Sequence, residues 1–162
     1  MTVSVLVADD SKFARRQLLR TLPEGWDATQ AQIALALGGY AFTRYREARR
    51  GPALFAPLDG ADMAEAQRDG RATCLTRDLV NPPAGDMLPS DLETAARTLA
   101  KSYDATVKVV TGDDLLDQNF PMIHAVGRAA DDAPRLIEIE WGDPAHPPVA
   151  LVGKGVCFDS GG

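Results

Sequence analysis

The 162 residues carry a formal net charge of -6, with 45% hydrophobic and 25% charged residues, the composition of one soluble domain with a real core rather than of a disordered chain. That acidity disfavours non-specific nucleic-acid binding, which needs a positive field to replace counterions on phosphate. No apolar run approaches the roughly 18 residues of a membrane span, the apolar stretch at 3–8 is closed at once by Asp9 and Asp10, and two distant cysteines fit a reducing compartment, so a cytoplasmic protein without signal peptide or anchor is expected.

TVSVLVA (2–8) is β-branched and apolar and predicts a buried strand. The next run places Phe13, Leu18, Leu19 and Leu22 on one helix face, with Asp10 or Ser11 free to cap it and Pro23 to end it. An alanine-rich helix is predicted over 28–50, weakened by Gly38 and Gly39. A loop follows at 51–60 and a second long helix at 61–80. The prolines of 81–89 exclude a helix there. Residues 90–103 predict a helix that opens with a capping box of Ser90 and Glu93 and has an apolar stripe of Leu92, Ala95, Ala96 and Leu99. A strand is predicted at 105–110, short helical pieces at 112–120 and 122–129, and a strand at 135–141. In this last strand Ile137, Ile139 and Trp141 face one way and Glu138 and Glu140 the other. VALVG (149–153) predicts a buried central strand. From about residue 60 the alternation of helices and strands implies an α/β sheet.

The chain closes on VGKGVCFDSGG (152–162). Lys154 would sit at the C-terminal end of a buried strand, the edge where α/β sheets bind ligands. Partial desolvation there favours a neutral amine, able to ligate a metal or act as a base. Asp159 follows within reach if the loop folds back, and Gly161 and Gly162 allow close backbone approach. The same spacing also describes a solvated surface turn. It lacks the order of a phosphate loop.

LVGKGVCFDSGG resembles the signature that opens the metal site of the leucyl (cytosol) aminopeptidase family, usually VGKG, Val or Ile, then TFDSGG. IALALGGYAFTRY, TRDLVNPPAGDMLPSDLE and HAVGRAADDAPRLIEIEWG resemble successive family segments in the same order, so the resemblance covers about 28–162. It implies the first part of the mixed α/β sheet of an aminopeptidase catalytic domain, a two-metal site with Mn or Zn, peptide substrates and a homo-hexamer. By position, Lys154 matches a metal ligand and Asp159 the aspartate that bridges the two ions. The resemblance places the family's catalytic lysine and arginine, and its remaining ligands, beyond Gly162. No catalytic residue is then expected within the chain, and the partial chain is expected to be inactive alone. Cys157 stands where threonine is usual and is expected to be a buried packing residue. Pro82, Gly85 and Leu88 also depart from the usual linker.

Residues 3–26 instead resemble the first strand and helix of a response-regulator receiver domain. Asp9 and Asp10 match its acidic Mg²⁺ pair, although two such residues also serve as a helix cap. The expected organisation is a receiver-like strand and helix at 1–27, a helix and linker at 28–60, and the N-terminal part of the catalytic domain at 61–162. His124 is expected to be packed, His146 exposed and Trp141 a strand packing residue. The acidic residues at 113–117 and 131–132 are expected to be solvated loop charges.

Overall fold

The structure, a computed structural model, describes residues 24–48 and 56–157. The strand and helix predicted before residue 24, and with them Asp9 and Asp10, lie outside the described residues. The described chain forms two compact units that part between Asn81 and Pro82.

In the first unit, helix α1 (Ala28–Gly38) starts at Asp27, whose carboxylate accepts the free N–H groups of Thr29 at 2.8 Å and Gln30 at 3.0 Å. The sequence predicts that this helix runs to residue 50. It stops at Gly38, because two adjacent glycines carry the largest backbone entropy cost. The Gly39 N–H closes the last turn on Leu35 and Ala36, and residues 40–48 continue without regular structure.

Helix α2 (Met63–Val80) is capped in the same way by Asp62, which accepts from Ala64 and Glu65. Two side chains of α1 hold the approach to α2. Thr29 Oγ1 accepts from the Asp62 N–H at 2.9 Å, and the buried Gln32 accepts from the Leu58 N–H at 2.8 Å. Without Gln32, the Leu58 donor would be buried and unpaired, which costs about 1–3 kcal/mol. The two helices pack with Gly70 opposite Ala36, and a Cβ added at Gly70 would lie 3.7 Å from the Ala36 methyl. That is ordinary contact, so Gly70→Ala is expected to stabilise the chain by about 0.5–1 kcal/mol by restricting the unfolded state. Thermal unfolding should show a rise of about 2–4 °C, and a lowered midpoint would mean that the helices cannot accept the methyl.

The second unit opens with a 3₁₀ turn at Ala84–Asp86 and then builds helix α3 (Pro89–Ser102), strand β1 (Thr106–Thr111), short helices α4 (Asp114–Asp117) and α5 (Pro121–Gly127), and strand β2 (Arg135–Glu140). The strands pair antiparallel, from Thr106 opposite Glu140 to Thr111 opposite Arg135. Helix α3 packs on both strands with Ala100 buried, and Leu115 of α4 is fully buried. This is the α/β arrangement that the sequence predicts, with an antiparallel pair as its sheet.

Three expectations in this unit are corrected. The cap of α3 is not Ser90 with Glu93. Pro89 takes the first helical position, where its missing donor costs nothing, so the Asp91 carboxylate reaches back to the Leu88 N–H at 2.9 Å. Residues 149–153 form no strand, and Val149, Leu151 and Val152 are 85%, 94% and 96% exposed. A strand exists only where its backbone groups are paired, and among the described residues β1 and β2 pair only with each other. Trp141, expected to pack, follows the last residue of β2 and is 75% exposed. Among the described residues no helix is long and apolar enough to cross a membrane.

Candidate functional site

Lys154 lies in the irregular segment that follows the exposed apolar run. It is exposed, not half-shielded at a strand end as the sequence predicts, because the strand that would shield it is not formed. Its amine has no hydrogen-bonding or ionic partner among the described residues. Asp159 lies outside the described residues. Among the described residues no three His, Cys, Asp or Glu side chains gather into a group able to hold a metal ion.

The residues just after Lys154 rest on the start of α3. Leu92 Cδ2 lies 3.4 Å from where a Gly155 Cβ would stand, so this backbone lies beside the helix. Cys157 is half-buried. Burial pushes its thiol pKa up, the carboxylates of Asp132 and Asp91 add to that, and Arg135 opposes them. A thiol raised in this way is unreactive, in keeping with a packing role.

Beneath this segment lies a group of charges that the sequence alone does not assemble. The Arg135 side chain, 11% exposed, donates to Glu93 Oε2 and to Asp132 Oδ1, each at 2.6 Å. It also donates to the Ala133 carbonyl at 3.2 and 3.1 Å. Glu93 is shared with Arg97 at 2.8 Å. Asp132 uses its other oxygen to accept the Ser90 N–H at 2.7 Å, so a residue far along the chain satisfies one of the free donors of the α3 N-terminus. Hydrogen bonds from Arg135 and then Arg97 hold Glu93 below the ordinary carboxylate range. Burial works to raise Asp132, but the hydrogen bonds from Ser90 and the charge of Arg135 outweigh it and leave that carboxyl lowered as well.

Asp132 is therefore not the solvated loop charge that the sequence predicts. Burying Arg135 requires a fixed carboxylate partner, and Asp132, three residues earlier, is one of the two it finds. The signal that could have found it is the arginine at the head of an apolar strand with an aspartate three residues earlier. His124 is half-buried with its Nε2 3.0 Å from Asp113 Oδ1, so it packs as predicted, and the Asp113 side chain is 95% exposed, a solvated charge as predicted. His146 is exposed as predicted.

Residues 74–162 match the cytosol aminopeptidase family, catalytic domain. A probable cytosol aminopeptidase of Roseiflexus castenholzii is 36% identical over 141 residues, covering 78% of this chain and 29% of that protein. The crystal structure of the cytosol aminopeptidase of Coxiella burnetii superposes with a TM-score of 0.68 at 44% identity, over 82% of this chain and 29% of that one. The bottromycin maturation enzyme BotP, solved in complex with Mn, superposes with a TM-score of 0.60 at 28% identity, over 72% of this chain and 26% of that one. The chain thus spans about three tenths of the length of the relatives it matches. With more than half of its residues inside the catalytic-domain match, and with the α3, β1 and β2 unit and the Lys154 motif both within it, the chain belongs to the cytosol aminopeptidase family.

Proposed function

We propose that this chain is part of a metal-dependent aminopeptidase that removes residues from the free N-terminus of peptides, and that Lys154 and Asp159 are two ligands of its pair of divalent ions. The observation that carries the reading is the catalytic-domain match over 74–162, which includes the whole of the Lys154 to Asp159 motif. The donor chemistry fits. Asp159 offers a carboxylate with two oxygens, able to serve two cations. Lys154 offers an amine not engaged by any described residue, and a nearby cation favours its neutral, ligating form. When bound, the ions supply polarisation of the peptide carbonyl and a lowered pKa for a bound water.

A mixed nitrogen and oxygen donor set suits Mn²⁺ or Zn²⁺, and the manganese in the BotP structure supports the former. On this reading residues 61–162 are the N-terminal part of the catalytic domain, 28–60 lead into it, and 1–27 are a separate receiver-like segment. A cytoplasmic location and a hexameric intact enzyme belong to the same proposal. Two ligands fall short of the three protein ligands that an ion in a catalytic site usually has, so the 162-residue chain alone is expected to be inactive. The test is leucine-anilide hydrolysis by a related full-length aminopeptidase that carries residues 82–162 of this chain in place of its own. An active chimaera that Lys154→Ala and Asp159→Ala leave unimpaired sinks the ligand assignment. Hydrolysis by the isolated chain that survives chelation sinks the metal-dependent reading.

A further inference from the structure

The Lys154 segment has no strand partner among the described residues. The described contacts that bear on it come from the start of α3 and the charge group below. Gly155 lies against Leu92, one residue before Glu93. Cys157, two residues further on, is half-buried. Leu92 and Asp91 belong to the first turn of α3, and that turn is tied to the head of β2 at two points. One is the Ser90 N–H on Asp132, and the other is Glu93 on Arg135.

Arg135 is the common member. Its planar fork meets two carboxylates and a carbonyl at once, which lysine, with a single ammonium, cannot reproduce. We propose that Arg135 is a positioning residue: by clamping Glu93 and Asp132 it fixes the first turn of α3 against β2, and this platform seats Gly155 to Cys157 and thereby sets where Lys154 stands. The proposal rests on the reading of Lys154 as a metal ligand only for its bearing on catalysis. The seating itself is a property of this chain.

The experiment uses the 162-residue chain with Cys74→Ser, so that Cys157 is the single thiol, and follows its alkylation by iodoacetamide. In Arg135→Leu the seat opens, and labelling of Cys157 is expected to rise about tenfold. A purely structural role would expose Cys157 only through unfolding of the whole unit, and that rate climbs steeply with sub-denaturing urea, whereas local release is nearly flat in urea. Labelling that rises and stays flat in urea supports the proposal. Labelling unchanged within about twofold, or risen with the urea slope of global unfolding, overturns it. Arg135→Lys keeps the stem and the charge but not the fork, and is expected to give about a threefold rise. Should Arg135→Leu lose its helical circular dichroism, Arg135→Lys decides by the same urea criterion. Failure of the metal-ligand reading would appear separately, as an active chimaera indifferent to Lys154→Ala, and would leave the labelling result standing.

Discussion

Arg135→Leu is expected to cost the chain about 3 kcal/mol, a larger loss than removal of any other member of the charge group should cause. The side chain is 11% exposed, and its two carboxylate partners are 18% exposed each. Removing it leaves Asp132 half-buried without its cation, while Glu93 keeps Arg97. That surviving pair places the loss at the lower end of what breaking a buried ion pair costs. Arg97→Ala is the useful contrast. Arg97 is 52% exposed, so its loss should cost less than about 1 kcal/mol.

Urea denaturation followed by circular dichroism measures both. The pH dependence carries the same signature. Glu93 and Asp132 both have folded pKa values below their unfolded ones. Their contribution is therefore complete above about pH 5, where both are ionised in either state, and drains away as the pH falls through about 4 and below. The native chain should lose urea resistance over that window more steeply than Arg135→Leu, in which the lowering by Arg135 is gone. Parallel acid profiles for the two would show that the cluster is not the source.

Lys154→Ala or Asp159→Ala, in a chimaera that carries residues 82–162, is expected to lower kcat/KM for leucine anilide at least a hundredfold, about 2.7 kcal/mol of transition-state stabilisation. Removing a ligand weakens the hold on an ion whose charge acts most strongly on the transition state. Of the two, Asp159→Ala should be the more severe if, as proposed, its carboxylate serves both ions. Metal analysis after dialysis gives an independent reading: Asp159→Ala should retain less manganese than the parent chimaera. Equal metal content with full activity would mean that other groups hold the ions.

The long-range features of the fold are the least legible in the sequence, and the local ones the most. Helix α2 and strands β1 and β2 follow from composition and alternation alone, since each is specified by residues within one or two turns of itself. Helix α1 is shorter than its composition suggests. The alanines on either side of Gly38 and Gly39 favour helix, and a run of residues does not reveal where two glycines tip the balance. The first turn of α3 departs from its pattern for a different reason. Ser90 and Glu93 have the spacing of a capping box, but Asp132 and Arg135 claim them from 42 residues away, and spacing carries no information about that. The run at 149–153 has the pattern of a central strand, yet a pattern does not supply the neighbour that a strand needs. The motif offers Lys154 and Asp159 as proposed donors, whereas nothing in the sequence points to the platform under Gly155 and Cys157.

Ser90 and Glu93 meet Asp132 and Arg135 only after the intervening chain has folded back. Closing a loop of 42 residues costs about 3 kcal/mol of chain entropy before any contact offsets it. Helix α3, with its own apolar stripe, and the pairing of β1 with β2 are therefore expected to form before the clamp closes. Interactions that form after the rate-limiting step act on the unfolding rate and leave the folding rate nearly untouched. Arg135→Leu is therefore expected to speed unfolding and to leave the folding rate nearly unchanged, as stopped-flow urea jumps would measure.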